Sequence, residues 1–197
     1  MRTAVILAGG KGSRLNFVEK ALLELDGKPI LNHIIETLSR CVDEIIVVAR
    51  DEEQQRRLHL AGITIVRDEV QDFGPVAGIC SGLSASSSQY AFVAACDMPF
   101  IKADVVDLLF HKAAGYDVAI PYPLEPLHAV YRREATIRAA KVAIQRRKGA
   151  IMYVVDQLQV NFVPKDEIRL IDPSLCTFVN INSLEDVEIL NKKKLCD

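Results

Sequence analysis

The chain has 197 residues, of which half are hydrophobic and a quarter charged, with a formal net charge of −2. That is enough apolar material for the core of one α/β domain spanning 1–197, and the charge balance gives no support for extended nucleic-acid binding. No apolar run approaches the roughly 18 residues that a membrane span needs, and the first apolar segment is too short for a signal peptide.

Thr3–Leu7 is the first strand expected, and it runs into LAGGKGSRL, where Gly9, Gly10 and Gly12 lie within four positions, followed by Arg14 and Lys20. Glycines of this kind allow another molecule close to the main chain, and a strand, a glycine loop and two cations are a natural phosphate cradle. Neither a dinucleotide fingerprint nor a P-loop is present, however. Pro29 suits a first helical turn, and Ile30, Leu31, Ile34, Ile35 and Leu38 share one helical face. Glu44–Ala49 reads as a buried strand, DEEQQRRLHL from Asp51 as a charged helix, and Ile63–Val66 as another strand. Gly74-Pro75 punctuates the chain before a small-residue helix over Val76–Ser86.

Tyr90–Ala95 is apolar throughout, as a central strand covered on both faces should be. A helix around Val105–Phe110 follows, then strands over Asp117–Ile120, Leu127–Tyr131 and Thr177–Ile181. Ser183 opens a capping-box pattern for a terminal helix. Strand–helix alternation implies a mostly parallel sheet with helices on both faces. Cys41, Cys80, Cys96, Cys176 and Cys196 form no CxxC pair and read as buried hydrophobes in a reducing cytoplasm, not as a zinc site or disulfide framework. The dispersed His33, His59, His111 and His128 offer no metal-ligand spacing.

Ligands of open α/β sheets bind beyond the carboxyl ends of strands, so the loops there carry the functional expectations. They bring the glycine loop with Arg14 and Lys20, then Asp68, then Asp97 in CDMP, and finally Asn180 and Asn182 in VNINS. An acidic side chain next to a buried strand needs a partner, water or a metal, yet Asp97 also fits a helix cap before Pro99. Lys20 also reads as a solvated cation and Asp68 as a turn residue. His128, set among apolar neighbours in LHAVY, reads as a strand residue with a partner and not as a base.

LAGGKGSRL, KALLELDGKP, Asp68, GPVAGICSGL, CDMP and FVNINSLEDV occur in one order, and together they resemble the molybdenum cofactor guanylyltransferase family over nearly the whole chain. The resemblance implies a Rossmann-like nucleotidyltransferase fold that transfers GMP from GTP to molybdopterin, releases pyrophosphate and uses Mg²⁺. It implies that Leu7, Ala8 and Gly9 contact guanosine through their main chain, and that Gly10, Gly12 and Arg14 form the phosphate loop. Lys20 then faces the triphosphate, Asp68 contacts the nucleotide, Asp97 contacts nucleotide and metal, and Asn180 and Asn182 lie near the metal or acceptor. Lys20, Asp97 and Arg14 are the expected catalytic set. The implied partners are GTP, molybdopterin and, transiently, other cofactor-biosynthesis proteins or molybdoenzymes, with no nucleic acid and no membrane.

The segment Leu15–Glu19 departs from the family's Met-Gly-x-Asp pattern, and Val48 replaces an asparagine that relatives place near the nucleotide. Three other readings stay open on sequence: an adenosylcobinamide-phosphate guanylyltransferase, a molybdenum cofactor cytidylyltransferase, and a nucleotide-binding regulatory protein without turnover.

Overall fold

The computed structural model describes residues 1–9, 20–58, 60–70 and 73–193. Its strands are β1 (Thr3–Leu7), β2 (Glu24–Leu25), β3 (Lys28–Pro29), β4 (Glu44–Ala49), β5 (Thr64–Arg67), β6 (Tyr90–Ala95), β7 (Val118–Tyr122), β8 (His128–Arg132) and β9 (Val160–Pro164). Its helices are α1 (Ile30–Leu38), α2 (Glu52–Arg57), α3 (Pro75–Ala85), α4 (Ala103–Ala113), α5 (Arg133–Gln145), α6 (Ile151–Val155), α7 (Lys165–Arg169) and α8 (Leu184–Lys193). Among the described residues no helix is long and apolar enough to cross a membrane.

Seven strands form one sheet in the order β5-β4-β1-β6-β8-β7-β9. Within this sheet β8 runs antiparallel to β6 and β7 and every other pairing is parallel, while β2 and β3 form a separate antiparallel pair. β1 therefore lies in the interior, its Thr3–Leu7 in register with Glu44–Val48 on one side and Ala91–Ala95 on the other. Because side chains alternate along a strand, Ala4 and Ile6 face the layer containing α1 and α4, while Val5 faces the layer containing α3. Helices thus cover both faces, as expected.

The small residues of α3 have a direct cause. A Cβ on Gly82 would stand 2.3 Å from a Val5 methyl carbon and 2.9 Å from one of Val48. Only glycine lets the helix backbone lie this close to the sheet. On its outer side α3 packs on α5 and α6 through Val76, Cys80, Ala139, Ala140, Ala143 and Val154.

Several expected boundaries move. Pro29 caps α1 from outside instead of lying in its first turn. The charged helix is only Glu52–Arg57, with Asp51 accepting the Gln54 backbone N–H as its N-cap. The strand expected over Thr177–Ile181 is absent. Cys176–Phe178 is a 3-10 turn after Leu175 in the left-handed region. Its backbone is satisfied locally: Thr177 N–H donates to Asp172 Oδ2 at 2.8 Å, and Val179 N–H to the Cys176 carbonyl at 2.9 Å. The apolar pattern there reflects burial against the sheet, not pairing with it. α5, α6, β9 and α7 complete the fold in a stretch where no element was expected.

Cys41, Cys80 and Cys96 are free thiols. Cys176 is disulfide-bonded, against the expectation of thiols alone.

Candidate functional site

The carboxyl ends of β1, β4 and β6 lie side by side because these strands are neighbours in the sheet. Beyond them opens a cavity of about 490 Å³. Leu7 and Gly9 line it from β1, Ala49 and Arg50 from β4, Asp68 from the end of β5, and Cys96 and Asp97 from the end of β6. Gly74, Pro75 and Gly78 supply the wall at the start of α3, and Lys20 closes another side.

Lys20 Nζ lies 3.0 Å from Asp97 Oδ2 and donates to Asn182 Oδ1 at 3.1 Å. The Lys20 and Asp97 side chains are only 19% and 23% exposed, so each charge is held in place by the other rather than hydrated freely. Two segments deliver Asn182. Ile181 N–H donates to the Asp97 carbonyl at 2.8 Å, tying the C-terminal segment to the end of β6. Asp186 Oδ2 accepts the N–H groups of Asn182 and Ser183 at 2.7 and 2.8 Å, and Ser183 Oγ accepts the Asp186 N–H at 3.1 Å. That is the expected capping box, with aspartate in the reciprocal position.

Asp68 follows β5, and its Oδ1 accepts the Val70 N–H at 3.2 Å in an Asx turn. Burial shifts its carboxyl upward from the usual aspartate value, opposed by that hydrogen bond. Its position is both a turn and a cavity wall. Ala8 lies behind the lining: its N–H donates to the Val48 carbonyl at 2.9 Å and its carbonyl accepts from Gln54 Nε2 at 2.9 Å. Gly9 packs so tightly that a Cβ would meet Arg50 Cα at 3.2 Å. Asn180 is exposed and does not line the cavity. Gly10, Gly12, Arg14 and the divergent Leu15–Glu19 lie outside the described residues.

Arg50 and Gln54 were not anticipated. Arg50 obeys the same rule as Asp68 and Asp97, since it directly follows a strand, and that signal was available. Gln54 sits among charged residues of α2, and nothing local marks it as buried. Cys96, by contrast, is no nucleophile: burial, then the neighbouring Asp97 charge, push its thiol up to about 12. His128 does not itself line the cavity; it is buried in β8, with Nε2 3.1 Å from Thr177 Oγ1 and its ring edge-on to Phe92 and Phe178. It is a strand residue with a partner, as expected.

A family model described as "MobA-like NTP transferase domain" matches residues 4–160. A probable molybdenum cofactor guanylyltransferase of Methanosarcina acetivorans is 45% identical over 95% of this chain and 88% of the relative. Its counterpart in Methanosarcina mazei is 46% identical with the same coverage. Among solved structures, molybdopterin-guanine dinucleotide biosynthesis protein A from Archaeoglobus fulgidus superposes with a TM-score of 0.84 at 30% identity. That superposition covers 98% of this chain and 97% of the other.

Proposed function

Since this chain belongs to the MobA-like NTP transferase family, we propose that it is a molybdenum cofactor guanylyltransferase acting as one domain over 1–197. It transfers GMP from GTP to molybdopterin and releases pyrophosphate. The observation that carries the reading is the Lys20–Asp97–Asn182 cluster at the rim of a nucleotide-sized cavity, at the carboxyl ends of β1 and β6. The relatives' names favour this reading over cobinamide-phosphate or cytidylyl transfer.

In this reaction a phosphate oxygen of molybdopterin attacks the α-phosphorus of GTP. A new P–O bond forms as the bond from the α-phosphorus to the bridging oxygen of the β-phosphate breaks, and pyrophosphate carries away that electron pair. The acceptor phosphate is already largely ionised near neutral pH, so no side chain has to remove a proton. Repulsion between two anions is the main obstacle, and the protein meets it by positioning and by fixed positive charge. Lys20 supplies an ammonium that Asp97 and Asn182 hold at the rim, ready to pair with triphosphate oxygens. Leu7 and Gly9 shape the wall against which the nucleoside lies.

A divalent ion, Mg²⁺ in this reading, fits the donors available. The second carboxylate oxygen of Asp97 has no hydrogen-bond partner among the described residues, and these contain no group of three His, Cys, Asp or Glu poised for a metal. Magnesium commonly takes one or two carboxylates and completes its shell with water and substrate phosphates. Asp97 would hold it, with Asn182 beside it, and the bound ion would neutralise phosphate charge. We place the reaction in the cytoplasm, beside the other steps of cofactor synthesis.

The test is pyrophosphate release with GTP, CTP or ATP, each paired with molybdopterin or adenosylcobinamide phosphate. GTP with molybdopterin should be the productive pair, with at least tenfold preference over CTP, equivalent to about 1.4 kcal/mol. Equal use of the nucleotides, or transfer only to the cobinamide acceptor, would overturn the reading.

A further inference from the structure

Gln54 is a polar side chain left 1% exposed on a short helix whose other residues are charged or polar. Burying an amide is costly unless all its groups are bonded, and here they are bonded on both sides. Its Oε1 accepts the Arg50 backbone N–H at 2.7 Å, and its Nε2 donates to the Ala8 carbonyl at 2.9 Å. Only the NH₂ end can donate to a carbonyl, so these partners fix the amide's orientation. The Gln54 backbone N–H is held in turn by Asp51 Oδ1 at 2.8 Å, and Asp51 Oδ2 accepts from Arg50 Nε at 2.7 Å.

The effect falls on the main chain leaving β1. Ala8 is gripped from two directions, by Val48 through its N–H and by Gln54 through its carbonyl. The flanking residues Leu7 and Gly9 then face the cavity, with Gly9 seated against Arg50. A wall that selects a base by its backbone groups discriminates only as well as those groups are held.

We propose that Gln54 is a positioning residue that sets nucleobase selectivity by clamping the ends of β1 and β4 together. This rests on the guanylyltransferase reading above. It assigns to Gln54 no contact with substrate; its influence passes through Ala8 and Arg50.

The test uses two variants of the full chain. Gln54→Met keeps the volume and removes both hydrogen bonds. Gln54→Glu keeps an acceptor for the Arg50 N–H, but its ionised form sets a carboxylate oxygen against the Ala8 carbonyl. The ratio of kcat/KM for GTP to that for CTP is measured with molybdopterin, alongside thermal melting. We expect Gln54→Met to narrow the ratio at least tenfold, mainly by raising KM for GTP. In Gln54→Glu the ratio should recover as pH falls from about 9 to about 6, because a protonated carboxyl can again donate to Ala8. Ile168→Val, a core change in α7, which packs on β9 at the far edge of the sheet from β4 and β1, should leave the ratio unaltered. If Gln54→Met does not fold, the pH response of Gln54→Glu decides alone. Wild-type ratios at every pH would overturn the proposal. Lack of GTP preference in the unsubstituted protein would instead overturn the guanylyltransferase reading, and this inference with it.

Discussion

Lys20 and Asp97 lie 77 positions apart in the chain and 3.0 Å apart in space, and their pairing has consequences for any substitution. Asp97→Asn keeps size and hydrogen bonding but removes the charge. If Asp97 only caps the following turn, activity survives, since Asn and Asp are comparable caps. In the mechanism above, turnover falls at least a hundredfold, about 2.7 kcal/mol in barrier. The check is pyrophosphate release across a Mg²⁺ titration at saturating GTP, where normal turnover at every concentration would exclude a role for the charge. Lys20→Ala should slow transfer by a similar factor. It should also lower stability, by roughly 1–3 kcal/mol, because Asp97 keeps its charge without its partner at a site only 23% exposed. A large fall in melting temperature with normal kinetics would make Lys20 structural. Both residues were legible in the sequence as charges next to loops. Their partnership was not, since no local pattern encodes which loop faces which. Gln54 was illegible for a related reason: whether a helical glutamine faces water or a neighbouring strand depends on how the helix is docked.

Two elements give the site its shape, and each offers a measurable weakness. α3 approaches the sheet through Gly82, where the 2.3 Å gap from a built Cβ to Val5 leaves no room for a methyl group. Gly82→Ala should therefore destabilise by roughly 1–3 kcal/mol through overpacking, despite alanine's better helix propensity. Denaturant unfolding would decide, and an unchanged or higher midpoint would mean that the contact relaxes freely. α8 begins at the cap built by Ser183 and Asp186. Asp186→Ala should cost about 1 kcal/mol of stability as a lost cap. It should also reduce transfer, because the N–H of Asn182 loses its anchor. Unaltered kinetics alongside the stability loss would separate Asn182 from the reaction. The capping pattern was visible in SLED, whereas the 3-10 turn before it was not. Thr177 and Ile181 look like strand residues, but the adjoining sheet positions were already paired and their burial is used in packing.

For the molecule as a whole, burial of His128 builds in a sensitivity to acid. Burial, with a smaller contribution from the Lys165 charge, lowers the His128 imidazole from 6.5 to about 3. The folded state keeps it neutral, while the unfolded chain takes up a proton below about pH 6.5. Stability is therefore lost as pH falls from about 6.5 towards 3, by up to about 1.4 kcal/mol per pH unit. Equilibrium unfolding between about pH 6.5 and 5, above most carboxylate titrations, should show a slope that His128→Gln removes. Equal slopes in the two proteins would show that His128 does not govern this loss. Composition and alternation were sufficient to determine the α/β class and most strands of the sheet, because these depend on local periodicity, and the contiguous motifs in their order carried the resemblance to the guanylyltransferase family. The tertiary structure decided the antiparallel insertion of β8, the neighbourly order of β4, β1 and β6, and hence which carboxylate meets Lys20. Those outcomes depend on contacts between residues tens of positions apart, whose free energy exists only once the sheet has assembled.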